Sequence, residues 1–336
     1  MENKKIKLGQ FFTKDKLWLK SQIIDFINNS KCSIAYDPFA GEGDLLKAAL
    51  ENTNLSSIYG LDIDSSLSWK INDSLLNIPH IENAIIITNP PYIAKQSASR
   101  KGIDLSKYFL SSKYDDLYLI ALDKMLLAQK KVVAIIPESF INSNYSQKEK
   151  LSSITILEEN PFDDTDNPVC VACFDSCYKS YNKIKIYKND FLINNYQNIL
   201  DFDLAPSNKI KITFNSPEGW LGLHAVDNTD DKTFIKFDFK ENIKYDWKKI
   251  KISSRHFSLI SIDIPIEKRK LFITKCNEIL NSIREKTADI ILTPFKGNTK
   301  RGIRRRRLDF RLARAIMEKA FFEIDEHTKN EQQILF

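Results

Sequence analysis

The sequence predicts an α/β chain, with a mainly parallel sheet covered by helices in the first half and a smaller α/β region in the second. Three observations lead there. Strand-like and helix-like patterns alternate along the first 150 residues, the signature of parallel strands joined by crossover helices. A glycine-bearing turn, Ala40-Gly41-Glu42-Gly43, follows the first strand and opens a helix. After residue 180 the pattern changes to segments that alternate Lys with Ile or Phe, as half-exposed strands do.

Each element follows from local chemistry. Apolar runs rich in β-branched residues predict strands at 33–38, 57–63, 84–88 and 132–137, with helices over 15–29, 43–52, 115–129 and 139–150. A further short strand ends at Asp73, in Ile71-Asn72-Asp73-Ser74. Apolar stretches at 154–157 and 169–174 flank a polar segment and predict an antiparallel pair at the sheet edge. Strands are then expected at 183–187, 209–214, 233–239 and 249–253, followed by a helix around 266–287. Leu308, Leu312 and Ile316 recur every four residues, so the basic run before them should lead into a last helix. The domain boundary is placed near 180, giving 1–180 and 181–336.

Composition narrows the class. The 336 residues, 43% of them hydrophobic, suffice for a large buried core. No apolar run reaches the ~18 residues of a membrane span, and no apolar signal core follows the N-terminus. Five cysteines, an odd number, point to reduced thiols and a cytoplasmic protein. Cys170, Cys173 and Cys177 lack a fourth ligand, and the four histidines form no ligand pair, so no metal is expected. The net charge of +6 is unevenly placed. The window 296–314 holds nine basic residues against Asp309 alone and carries +8, which leaves −2 for the rest. Charge concentrated in this way suits a polyanion-binding surface.

The most informative stretch is Asn89-Pro90-Pro91-Tyr92, directly after the apolar run 84–88. Two successive prolines forbid helix and ladder pairing, so the strand must end there in an extended turn. An amide and backbone carbonyls at such a turn can grip an amino group, and a ring can stack on a flat base. Asp37-Pro38-Phe39-Ala40-Gly41-Glu42-Gly43-Asp44 ends the first strand with acids and glycines. Without a Lys-Ser/Thr ending it is no triphosphate loop, and its charge suits a cationic ligand. Asp62 lies 25 residues after Asp37, near the ~20-residue offset of the ribose-binding acid in dinucleotide folds. Asp73 could accept from an amino group. Taken singly, each Asp also reads as a helix cap or solvated charge.

Gly9-Gln10-Phe11-Phe12-Thr13, the glycine turn, Asp62, Asp73 and the proline turn, in that order, resemble the gamma-type DNA adenine-N6 methyltransferases over roughly residues 8–180. Lys14 departs from the proline usual in that family. The resemblance implies a class I methyltransferase domain at 1–180, with a seven-stranded, mainly parallel sheet and an antiparallel edge hairpin. It implies a target-recognition domain at 181–336, with double-stranded DNA in the cleft between them. S-adenosylmethionine is the implied cofactor. Its methionine part would be held by Thr13 and Asp37, with Phe11 in the same segment. Ala40, Gly41 and Gly43 would supply close backbone. Asp62 would take the ribose, Ile63 the adenine face and Asp73 its amino group. Asn89, Pro90, Pro91 and Tyr92 would be catalytic, with Tyr92 and Phe162 stacking on a flipped base. Lys95, Arg100 and Lys101 should follow the extruded strand. Lys300, Arg301, Arg304, Arg305, Arg306 and Arg307 should contact phosphates, and Arg255 with His256 could read base edges.

Other readings remain: a protein-glutamine N5-methyltransferase, an RNA adenine methyltransferase, and a non-catalytic nucleic-acid-binding module on the same scaffold. In the DNA reading the protein is a cytoplasmic, nucleoid-associated monomer, and a separate restriction endonuclease is a candidate partner.

Overall fold

The computed structural model describes residues 16–110, 112–159, 161–162, 167–230, 234–249 and 255–334. The chain divides into two compact units, Met1–Tyr196 and Gln197–Phe336.

The first unit is built on one nine-stranded sheet. Its strands are β1 (Ile34–Asp37), β2 (Ser57–Asp62), β3 (Lys70–Ile71), β4 (Ala84–Thr88), β5 (Val132–Pro137), β6 (Leu151–Ile156), β7 (Val169–Phe174), β8 (Lys185–Lys188) and β9 (Phe191–Asn195). They lie in the order β3-β2-β1-β4-β5-β7-β6-β8-β9. The five strands β3-β2-β1-β4-β5 are parallel neighbours, and β7 runs antiparallel between β5 and β6. Strands β1 to β7 make the expected class I methyltransferase sheet, mainly parallel with one inserted antiparallel strand, and β8 and β9 extend it from the expected seven strands to nine. β4 is buried along its whole length, as its uninterrupted Ala-Ile-Ile-Ile-Thr pattern requires of a central parallel strand. Helices α1 (Ser21–Asn28) and α2 (Asp44–Asn52) supply Ile23, Ile27, Leu46 and Ala49 to a core that also takes Ile85, Ile87, Val133 and Ile135 from the sheet.

Three differences from expectation have local causes. The unit ends after Tyr196 and not near 180, because β8 pairs in parallel with β6 and carries β9 with it. The β6–β7 pair therefore lies inside the sheet, not at its edge. Residues 139–150 form no helix, only short 3-10 turns at Glu138–Asn142 and Lys148–Lys150. The Ser143 hydroxyl and amide both donate to the Phe140 carbonyl, at 2.7 and 3.0 Å, and so end the first turn.

The connection from β4 to β5 carries α3 (Lys95–Arg100), α4 (Ser106–Phe109) and α5 (Leu117–Ala128). α6 (Tyr196–Leu200) follows β9. No helix among the described residues is long and apolar enough to cross a membrane.

The second unit holds an antiparallel sheet of β10 (Ile212–Phe214), β11 (Leu221–His224), β12 (Lys236–Phe239) and β13 (Phe257–Ile262), in the order β10-β13-β11-β12. α7 (Arg269–Lys286) packs against α8 (Phe310–Ile334) and β12. The strand expected at 249–253 falls outside the described residues, save Lys249 in a 3-10 turn.

The basic run corrects a further expectation. It does not lead straight into the last helix: Arg304–Arg307 is a strand, β15, paired antiparallel with β14 (Thr293–Asn298). Successive side chains of a strand point to opposite faces. Arg304 and Arg306 are accordingly buried, at 4% and 1% exposure, while Arg305 and Arg307 are half-buried. Asp227 anchors the strand. Its carboxylate accepts both terminal nitrogens of Arg284 at 3.1 Å and the Arg306 amide at 3.0 Å. A uniform phosphate-contacting run of four arginines is therefore not what the chain builds.

Candidate functional site

The sheet order reverses between β1 and β4. In open α/β sheets ligands bind beyond the carboxyl ends of the strands at such a switch point. β1 ends there in Asp37 and β4 in Thr88, directly before Asn89. The Thr88 hydroxyl donates to Asp37 Oδ1 at 2.5 Å, and the Phe39 amide donates to the same oxygen at 2.8 Å. Asp37 is 2% exposed. Burial raises its carboxyl to about 7, against the downward pull of those two hydrogen bonds.

The glycine turn is held from two sides. The Ala40 amide donates to the Leu61 carbonyl at 2.9 Å, and the Gly41 amide donates to Asp62 Oδ2 at 2.8 Å. Gly43 has φ +81° and precedes α2, and a Cβ there would meet the Trp69 ring at 2.7 Å. Trp69 in turn donates its indole N–H to the Gly41 carbonyl at 2.8 Å. The other oxygen of Asp62 accepts the Asp64 amide at 2.9 Å. A carboxylate has about four acceptor sites, so both oxygens keep capacity for ribose hydroxyls.

A pocket opens beside this turn. It is lined by Phe39, Asp62, Ile63, Asp73, Pro91 and Tyr108, among others. Three residues chosen from sequence for one ligand, Asp62, Ile63 and Asp73, thus share one cavity with the second proline of the turn. Asp73 is not a lone acceptor: its Oδ2 receives Lys107 Nζ at 2.8 Å and the Tyr108 hydroxyl at 3.0 Å.

The proline turn points its tyrosine inward. The Tyr92 hydroxyl reaches both Asn89 Oδ1 and, at 2.9 Å, the Ile135 carbonyl. Burial pushes that hydroxyl well above its ordinary pKa, so it stays a donor. Asn89 is half-buried. Phe162 corrects an expectation. It is 4% exposed within the core cluster and lies edge to face with Tyr92, centroids 6.4 Å apart and planes at 67°. In this arrangement it packs Tyr92 and does not form the second face of a parallel sandwich.

Residues 10–165 match the model of the Eco57I restriction-modification methylase family. The match covers 156 of the 336 residues, and over them the chain is similar to restriction-modification methylases. S-adenosylmethionine is the methyl donor that goes with this family and fold, and the cavity fits it: an acid for the ribose, an apolar face for the adenine, a second acid for an amino group. The modification methylase CviBIII of Paramecium bursaria Chlorella virus NC1A is 25% identical over 192 residues, half of each chain. The chain thus spans about half the length of that relative. Among solved structures, the type I restriction-modification methyltransferase subunit from Streptococcus thermophilus is 18% identical, with TM-score 0.40, over 57% of this chain and 52% of that one. The type I restriction enzyme EcoKI M protein is 12% identical, with TM-score 0.36, over 80% and 70%.

Phe11 and Thr13 lie outside the described residues. Lys95, Arg100 and Lys101 lie on or beside α3 and are exposed, and Lys95 is 3.9 Å from Asp115. Farther along the same connection, Leu105 and Tyr108 form pocket wall. In the second unit Arg255 and His256 are exposed, and His256 lies edge to face on Phe295 at 5.5 Å. Burial, then Arg305, Arg307 and Arg255, hold the His256 ring below its ordinary pKa. Arg305 covers the other contact of Phe295, 5.1 Å from its centroid, and Lys300 and Arg301 are exposed.

Sequence reasoning missed Trp69, Thr88, Lys107 and Tyr108. Only Thr88 left a signal: a single hydroxyl ending an otherwise apolar buried strand needs an acceptor.

Proposed function

We propose that this protein transfers a methyl group from S-adenosylmethionine to the N6 amino group of an adenine in double-stranded DNA. The supporting observation is Asn89-Pro90-Pro91-Tyr92 at the carboxyl end of β4, one strand from Asp37 and against the pocket of Asp62, Ile63 and Asp73.

An adenine inside a duplex cannot reach such a turn, so it is flipped out of the stack. Asn89 Oδ1 and the Pro90 carbonyl accept the two N6 protons. Those bonds strengthen as the nitrogen lone pair leaves conjugation and becomes nucleophilic, and binding that grows toward the transition state is what accelerates a reaction. When bound, the cofactor supplies an electrophilic methyl on its sulfonium. The N6 nitrogen would accept that methyl, the sulfur would leave with the electron pair of the broken S–C bond, and the N6 held by Asn89 and Pro90 would release its proton to water. No strong base has to act beforehand. Tyr92, braced by its hydroxyl bonds and by Phe162, stacks on the base, a contact worth ~1–3 kcal/mol. The second unit serves as the target-recognition domain, where Arg305, Arg307, Lys300 and Arg301 meet phosphates and Arg255 with His256 lies beside them.

Modification mapping of DNA from cells that express the protein tests this. N6-methyladenine at a recurring sequence, absent with Asn89→Ala, is the expected result. A methylated cytosine, or no DNA modification alongside a methylated protein or RNA, overturns it.

A further inference from the structure

Asp73 follows β3 with its main chain fixed, since its carbonyl accepts the Leu76 and Asn77 amides at 3.0 and 3.2 Å. Its side chain is held separately, from the far side of the proline turn. Lys107 Nζ and the Tyr108 hydroxyl both donate to Oδ2, at 2.8 and 3.0 Å. Lys107 also lies over the Tyr108 ring, 4.6 Å from its centroid, so the pair is itself braced. Both residues belong to α4, whose start is tied by the Ser106 amide to Asp104 Oδ1 at 2.9 Å. Tyr108, Asp73, Ile63 and Pro91 line one cavity.

A carboxylic acid can donate or accept, and an ionised carboxylate can only accept. A cation and a phenol hydroxyl that both donate to one oxygen fix how the carboxylate is turned. Both fall on Oδ2, and Oδ1 keeps its lone pairs for a donor in the cavity. A 6-amino purine offers such a donor, whereas a 6-oxo purine offers an oxygen that an ionised carboxylate repels.

We propose that Lys107 and Tyr108 are positioning residues that fix the orientation of the Asp73 carboxylate, engaging Oδ2 and leaving Oδ1 as the acceptor in the cavity, and thereby set the preference of the pocket for a 6-amino over a 6-oxo purine in the cofactor. This rests on reading the cavity as the S-adenosylmethionine site.

The test is calorimetric binding of S-adenosylhomocysteine and of its 6-oxo counterpart, S-inosylhomocysteine. The proteins are wild type, Tyr108→Phe, Lys107→Met, the double variant and Lys107→Arg. Lys107 is 58% exposed and Tyr108→Phe keeps the ring, so folding is not at stake. Wild type should favour the 6-amino ligand. The double variant should lose roughly tenfold of that preference, ~1.4 kcal/mol in binding difference, and Lys107→Arg should retain it. Asp62→Ala should weaken both ligands alike and leave the ratio intact. If the double variant weakens both ligands equally, or neither, the positioning role is overturned while the cofactor site stands. If wild type binds neither ligand, the cofactor reading itself fails.

Discussion

Asp37 should couple cofactor binding to pH, with opposite signs for binding and for stability. Its carboxyl is buried at the switch point and raised from 3.8 to about 7. Desolvation is the largest cause, and the Thr88 and Phe39 hydrogen bonds only partly oppose it. Without ligand, the folded protein keeps a proton that the unfolded chain gives up above its ordinary carboxylate value. Stability should therefore fall as pH rises from about 4 to about 7 and level off above, by ~4 kcal/mol in all. A cofactor whose cationic amino group meets Asp37 favours the ionised form, so binding expels that proton below pH 7. Affinity should then rise about tenfold between pH 6 and pH 8 and flatten beyond. Calorimetry with S-adenosylhomocysteine at pH 6, 7 and 8, in buffers of different ionisation heat, measures both the affinity and the proton released. Asp37→Asn should abolish the slope and remove the fall in stability. An affinity equal at pH 6 and pH 8, or a slope that survives Asp37→Asn, would refute the reasoning.

Asn89→Ala should abolish methyl transfer in single-turnover assays and leave S-adenosylhomocysteine affinity nearly intact; a normal chemical rate would remove Asn89 from the mechanism. Asp62→Ala should weaken cofactor binding roughly 10- to 150-fold, as loss of a charged hydrogen bond of ~1.5–3 kcal/mol implies, and an unchanged dissociation constant would reduce Asp62 to a brace for Gly41. The β15 arginines should separate by parity. Arg305→Gln with Arg307→Gln should weaken cognate and non-cognate DNA about equally and flatten the log–log salt slope by ~0.9 per lost phosphate contact. Arg304→Gln with Arg306→Gln should instead lower the unfolding midpoint, because both guanidinium groups are buried. Equal effects of the two pairs on melting would contradict the assignment.

The methyltransferase sheet was legible because its strands are strongly apolar and its turns carry distinctive residues. The Ala84–Thr88 run and the two prolines after it specify a buried strand and its end with little help from elsewhere. β11 was missed since Leu221–His224 is short and buried throughout, without the Lys alternation that marked its neighbours. Asp37, Asp62 and Asp73 could be found as strand-end acids, but their braces could not. Lys107 is 34 residues from Asp73, and only the packing of α4 joins them. The arginine run misled because composition counts charges, whereas strand parity decides which of them reach solvent.

The Thr88–Asp37 hydrogen bond has a consequence for how such a protein can change. β1 and β4 are adjacent rungs of one ladder, with Tyr36 opposite Ile86, so the cofactor-side acid and the target-side amide are spaced by backbone pairing, ~4.8 Å between strands. No loop length enters that spacing. Insertions in the connections, and wholesale exchange of the second unit, leave the distance from donor to acceptor where the ladder sets it. On the proposed function, new target sequences could be acquired by exchanging the second unit while the chemistry is inherited unchanged, whereas a one-residue register slip between β1 and β4 would silence every variant at once.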